Sequence, residues 1–254
     1  MIAELPTSDD VAAAWHRGEF CLHYQPIVSL VNRRCVGGEA LVRWQRGGEL
    51  VPANEFIHHF EGTPLSGPLT YWVIERIAID LGDWLRAGTD RLLSFNVPAE
   101  ILGRGGLDLA GEKAGLTDVV DRLVVEITER SLPDQLGVDA LNSFRLRAHR
   151  SKVAIDDAGL GHGNLVVLAR LPLDIIKLDA SVIDRIVPDG PLPEIAAQIA
   201  SLAREGGTPI VAEGIEQEYQ LMKLREAGVQ YGQGWLFAKA LPLEEFLGYF
   251  ARQQ

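Results

Sequence analysis

Two cysteines in 254 residues, Cys21 and Cys35, are too few for a disulfide scaffold, and the absence of any CxxC removes the usual thiolate zinc sites. Both are expected to pack as small apolar residues. No apolar run approaches the roughly 20 residues that a membrane helix needs. The N-terminus, MIAELPTSDD, lacks the basic start and apolar centre of a signal peptide. These absences predict a cytoplasmic protein without a membrane span. Basic residues are also short: 24 Lys and Arg against 35 Asp and Glu leave a net charge of −11. That balance argues against DNA binding through the phosphate backbone, which needs a basic face. An anionic substrate would have to be admitted by metal ions or by a few placed cations. What is present, 47% apolar, 7% aromatic and 23% charged residues, is an ordinary globular composition. The length suffices for a full core in one large domain or two small ones.

Short β-rich runs alternate with amphipathic segments. Strands are expected at CLHYQPIV (21–28), RCVGGEALVRW (34–44), RLLSFNV (91–97), RLVVEIT (122–128), KVAID (152–156), DIIKL (174–178), TPIVAE (208–213) and VQYGQGWLF (229–237). Helical spacing marks 67–88, 134–150, 192–207 and 217–229. Strand, helix, strand at this pitch predicts a parallel sheet wrapped by helices and closed as a TIM-like (β/α)8 barrel. One connection breaks the pattern. SLVNRR (29–34) is too short for a helical crossover, so the first two strands are expected to be antiparallel. With no internal repeat or Ser/Pro-rich linker, and PDGPLP (188–193) read as a local excursion, residues 1–254 are expected to form a single domain.

In a parallel barrel the chemistry gathers at the C-terminal ends of the strands. Those ends carry Glu39, Asn96, Glu126, Asp156 with Asp157, Lys177 with Asp179, Glu213 and Gln233. A single acid at a strand end is readily a helix cap or a solvated loop residue. Coincidence at so many ends, behind runs as apolar as LVVEIT and PIVAE, is not surface decoration, because a cluster left without counter-charge would strongly destabilise the fold. Oxygen ligands without His or Cys point to Mg²⁺ or Mn²⁺ rather than zinc. His58 and His59 are adjacent and cannot share a helix face, and His16, His23, His149 and His162 are scattered. The stretch VAIDDAGLGHGN (153–164) delivers two neighbouring carboxylates into a Gly-rich loop, which fits two ions bridged by one acid about a phosphodiester. Lys177 could orient a water or offset transition-state charge, or form an ordinary ion pair with Asp179 or another acid. Arg43 is the candidate to grip a phosphate, or simply pairs with an acid.

In order along the chain, YQPIV (24–28), GGEALVRW (37–44), FNV (95–97), VEITE (125–129), IDDAGLG (155–161), IKLD (176–179), VAEGIE (211–216) and YGQGWLF (231–237) resemble the signature motifs of the EAL domain. Members of that family are cyclic di-GMP phosphodiesterases acting in bacterial second-messenger signalling. The resemblance implies a barrel whose mouth binds two Mg²⁺ or Mn²⁺ ions and hydrolyses cyclic di-GMP to linear pGpG. Position by position, Glu39, Asn96, Glu126 and Asp156 resemble ligands of a first ion, and Asp156, Asp157 and Glu213 those of a second. Lys177 resembles the residue at the attacking water, and Gln233 one near the metal-bound waters. Gln25, Glu39, Leu41, Arg43 and Gln233 resemble substrate contacts, while Glu129, Asp179 and Glu216 resemble loop-supporting residues. A homodimer is implied, as is a sensor or GGDEF-type domain if the chain is part of a longer protein.

The departure from the family pattern lies after the paired acids, where DDFGTGYSS is common and this chain reads DDAGLGHGN. Leu160 in place of a hydroxyl removes a hydrogen-bond partner for Glu129, and Gly163 loosens the backbone. Leu160→Thr is therefore expected to change the metal dependence, and an unchanged dependence would remove the basis for this reading. Two other readings compete: a catalytically silent cyclic di-GMP receptor, and a Mg²⁺-dependent barrel lyase using Lys177 as base. The receptor usually lacks metal ligands, and the lyase carries a capping domain for which this chain has no segment long enough.

Overall fold

The computed structural model describes residues 6–98, 101–102, 106–128, 151–158 and 173–253, without the side chains of Thr128 and Asp157. Nine strands are described: β1 (Phe20–Ser29), β2 (Cys35–Arg46), β3 (Glu49–Pro52), β4 (Leu92–Asn96), β5 (Leu123–Thr128), β6 (Lys152–Ala158), β7 (Ile175–Leu178), β8 (Ile210–Ala212) and β9 (Tyr231–Gly232). Seven α-helices accompany them: α1 (Ser8–Arg17), α2 (Ser66–Arg86), α3 (Gly106–Lys113), α4 (Ala180–Ile183), α5 (Glu194–Gly206), α6 (Glu218–Glu226) and α7 (Leu243–Arg252).

The sheet runs β1-β9-β8-β7-β6-β5-β4-β2 and closes through β1–β2, giving the expected barrel of eight strands. Strands β2 and β4 to β9 are parallel in sequence of pairing, whereas β1 is antiparallel to both β2 and β9. The reversal follows from the short turn after Ser29, as the sequence predicts. The ninth strand, β3, was not expected; it pairs only with the overhanging end of β2, from Arg43 to Arg46, and lies outside the closed ring. The expected strand at 229–237 shrinks to Tyr231–Gly232. Gly234 ends it: at φ +152° a Cβ would lie 2.2 Å from the Ile215 backbone, so the chain turns there against the segment after β8.

Alternation along the strands sorts residues into barrel interior and helix-facing surface. On β1, Phe20, Leu22 and Tyr24 are buried outward and Cys21, His23 and Gln25 are half-buried inward. Tyr24 OH donates to Asp80 of α2 at 2.8 Å, and Asp80 also takes Arg76 at 2.9 Å. The chain's few aromatics are concentrated: Phe20 lies 5.3 to 6.0 Å, ring to ring, from Phe56, Phe60, Trp44 and Trp15. That cluster seals α1 against the first hairpin. Helix α1 was not foreseen, although its capping box is written in TSDD: Thr7 accepts from Asp10 N, and Asp10 from Thr7 N. Cys35 is buried, its thiol donating to the Gly37 carbonyl at 3.2 Å, and Cys21 is half-buried. Among the described residues no helix is long and apolar enough to cross a membrane. The expected helix at 134–150 lies outside the described residues.

Candidate active site

Strand register builds the site. Glu39 sits opposite Gln25 on β1 and Ser94 on β4, and Asn96 opposite Glu126 on β5. Asp156 ends the β5–β6 ladder opposite Thr128, and Lys177 lies opposite Val211, two residues before Glu213. A period of two carries Glu39, Glu126, Asp156, Lys177 and Glu213 to the interior near the C-terminal ends of the parallel strands, with the exposed Asn96 at their rim.

Lys177 is the hub. It is 1% exposed, and its Nζ lies 2.6 Å from Glu213 Oε1, 2.7 Å from Glu126 Oε2, 3.2 Å from Glu39 Oε2 and 3.3 Å from Asp156 Oδ1. Gln233 Nε2 donates to Glu39 Oε2 at 2.6 Å and to Glu213 Oε1 at 3.2 Å, and Asn96 Nδ2 donates to Glu39 Oε1 at 3.1 Å. The structure thus brings together Glu39, Asn96, Glu126, Asp156, Lys177, Glu213 and Gln233. The ordinary pairing of Lys177 with Asp179 is absent, and Lys177 takes four other acids instead.

Four carboxylates against one ammonium leave three formal negative charges in a buried space. Burying unbalanced charge costs several kcal/mol per ion, and protein groups answer by shifting their titration. Burial pushes Glu213 up to about 8, with repulsion from Asp156 and Glu39 working against the pull of Lys177. Burial and then repulsion from Glu39 hold Glu126 well above the ordinary carboxylate range. Burial also raises Glu39, but Lys177 and the Gln233 hydrogen bond outweigh it and leave this acid below its ordinary value. Burial lowers Lys177, and the surrounding acids more than reverse that, holding its ammonium protonated.

The donor set is chemically suited to a hard divalent cation: carboxylates, an amide, and an excess of negative charge. Gln233 Oε1 adds a buried acceptor with no hydrogen-bond partner among the described residues. As arranged, the acids close on Lys177, and among the described residues no three Asp, Glu, His or Cys side chains are disposed as ligands of one ion. Glu39, Asn96, Glu126, Asp156 and Glu213 are the described residues that could hold one.

Other expected site residues fall at the edges. Leu41 and Arg43 share the face of β2 that carries Glu39, both half-buried, and Arg43 Nη1 donates to the Val42 carbonyl at 2.9 Å. Gln25 Nε2 reaches Ala238 O at 3.4 Å. Asp179 caps α4, accepting from Ser181 N at 2.8 Å, and Glu216 is exposed with its backbone N donating to Gln220 Oε1 at 2.9 Å. Glu129, the side chain of Asp157 and the loop with Leu160 lie outside the described residues. Trp235 was not singled out as a residue; it is 63% exposed just past Gln233, with Lys239 Nζ 4.4 Å over its ring. Its place in YGQGWLF was the available signal.

Comparison with known proteins is consistent along the chain. The model of the EAL domain matches residues 8–240. The Escherichia coli (strain K12) protein named probable cyclic di-GMP phosphodiesterase PdeB is 37% identical over 240 residues, covering 90% of this chain and 44% of the relative. This chain therefore spans less than half the length of that relative. A structure of the EAL enzyme Bd1971 with cAMP and cyclic-di-GMP bound superposes with a TM-score of 0.85 at 31% identity, over 96% of this chain and 68% of that one. Klebsiella pneumoniae BlrP1, in a manganese and cyclic di-GMP complex, gives a TM-score of 0.71 at 26% identity, over 88% of this chain and 56% of that one. A closed barrel with β1 reversed, acids gathered on Lys177 at its C-terminal mouth and a family match over 8–240 lead to one assignment: the chain belongs to the EAL domain family.

Proposed function

We propose that this chain is a cyclic di-GMP phosphodiesterase, which uses water to open one phosphodiester of the cyclic dinucleotide and releases linear pGpG. The observation that carries the reading is the acid cluster on Lys177, a charge excess that suits cations and then an anionic phosphodiester. The names of the E. coli relative and of the Bd1971 and BlrP1 structures supply the nucleotide. Two Mg²⁺ or Mn²⁺ ions are proposed, one held by Glu39, Asn96, Glu126 and Asp156 and the other by Asp156, Asp157 and Glu213. Bound there, such ions supply an activated water and neutralise charge on the phosphate oxygens.

The chain's own part begins with Lys177, whose protonated Nζ donates hydrogen bonds and holds positive charge where the attacking oxygen and the phosphorane oxygens carry negative charge. Water bonds to phosphorus as it gives up a proton, the bond from phosphorus to the 3′ oxygen breaks with that oxygen taking up a proton as the 3′ hydroxyl, and the opened dinucleotide keeps the 5′ phosphate. Gln233 fixes Glu39 and Glu213 by hydrogen bonds, so both acids hold one orientation. Arg43, Leu41 and Gln25 stand on the neighbouring inner face of the first hairpin and are proposed to contact the nucleotide. The E. coli relative is named a phosphodiesterase, which disfavours the lyase reading. A single domain, a homodimer and attached sensor or GGDEF-type domains are parts of the same proposal.

The test is incubation of the protein with cyclic di-GMP in Mg²⁺, in Mn²⁺ and in chelator, with nucleotides separated by chromatography. Metal-dependent pGpG is the expected product. Tight binding without product would replace the enzyme by a receptor.

A further inference from the structure

The barrel has a second opening at the N-terminal ends of its parallel strands, opposite the acid cluster. A cavity of about 390 Å³ enters there between the starts of β2, β4, β6, β7 and β9. Its walls include Ile27, Val124, Ala154, Ile175 and Val211, an apolar layer separate from the main core. Barrels of this class usually fill such layers with bulky branched side chains. Here the inner positions Ser94 and Ala154 carry small side chains, which leaves the layer underfilled, and Gly37 lines the same space. Gly37 is fixed by close approach, since a Cβ would lie 2.2 Å from Leu92 O.

One buried polar atom in this space is unpaired among the described residues. Ser94 is 3% exposed, and its Oγ has no hydrogen-bond partner among the described residues. Leaving a buried hydroxyl unpaired costs stability, and a ligand group that pairs with it recovers that cost. The walls disfavour a charged ligand through desolvation. At the entrance, Asp90 and Asp174 outnumber Lys152, which disfavours an anion. The inner end is formed by Glu126 and Lys177, so an occupant would rest against the underside of the acid cluster.

We propose that the N-terminal mouth of the barrel is a second small-molecule site, for a neutral, largely apolar molecule with one hydrogen-bonding group directed at Ser94, and that its occupancy alters the reaction at Lys177. The volume falls within the range of small-ligand pockets. The effect on reaction rests on the phosphodiesterase reading, whereas binding does not.

The test titrates the full chain, methyl-labelled for NMR, with benzyl alcohol and with toluene. Shifts are expected at Ile27, Val124, Ile175 and Val211. Ala154→Leu should abolish them for both probes by filling the space. Ser94→Ala, a milder change that keeps the fold in hand, should weaken benzyl alcohol by about threefold or more and leave toluene unaffected. No shift, shifts confined to other methyls, or undiminished binding to folded Ala154→Leu would overturn the site, and equal losses of both probes in Ser94→Ala would overturn the role of its hydroxyl. Saturating benzyl alcohol should change the rate of cyclic di-GMP cleavage by about twofold or more in the parent and not in Ala154→Leu. Methyl shifts with an unchanged rate would overturn the coupling alone. Absence of any cleavage would overturn the phosphodiesterase reading, and the methyl titration would still decide the site.

Discussion

Lys177 concentrates the demands of the site in one side chain, because its ammonium is the counter-charge for four buried carboxylates. Lys177→Met removes it at nearly constant volume and leaves those acids unbalanced. Loss of one partner from a buried ion cluster costs about 3–5 kcal/mol, so denaturant unfolding in chelator should show a loss of that order. Glu213 sets a pH dependence whose sign follows from its raised value. The folded chain holds this proton up to about 8, whereas an ordinary Glu releases it near 4.5. Below that lower value both states are protonated and the contribution to stability is complete. As pH rises toward 8 the unfolded chain binds fewer protons than the folded one, and stability declines. A divalent ion that takes the proton's place gains over the same window. Thermal midpoints in chelator should therefore fall from pH 6 to pH 8, and the increment on adding Mn²⁺ should grow. An increment independent of pH would contradict this account. The acids themselves were legible as strand-end residues with a period of two. Their closure on Lys177 was not, since it depends on register between strands far apart in sequence: Glu39 and Lys177 are 138 residues apart.

Elements place these residues by ordinary means, and some residues with a proposed loop-supporting role do their work locally. Asp179 is the N-cap of α4, so Asp179→Ala should cost about 1 kcal/mol through the lost bond to Ser181 N, while Asp179→Asn should stay within a few tenths. Equal losses from both substitutions would show that the charge, rather than the cap, matters. Strands at 21–28, 122–128 and 174–178 were readable because apolar, β-branched runs end abruptly in polar residues. Helix α7 was missed because its apolar residues follow directly on the loop after β9. Phe246 packs 5.6 Å from Tyr24 and 5.5 Å from Trp84, so tertiary contact gives this helix its buried face. The strand expected at 229–237 was overextended because its apolar residues continue past Gly234, whose backbone turn no periodicity reports.

At the scale of the molecule, the barrel separates two interiors: an apolar layer at the N-terminal ends of its parallel strands and a charged one at the C-terminal ends. The acidic chain, with a net charge of −11, is suited to an anionic substrate only where cations offset that charge locally. The most direct test of this account is the initial rate of pGpG formation across a range of Mn²⁺ concentrations, for the parent chain and for Glu213→Gln. The account predicts a metal-dependent rate in the parent, and in the variant a loss of about 100-fold or more together with a requirement for higher Mn²⁺. A variant as fast as the parent at the same Mn²⁺ would contradict the placing of ions and chemistry at the acids around Lys177.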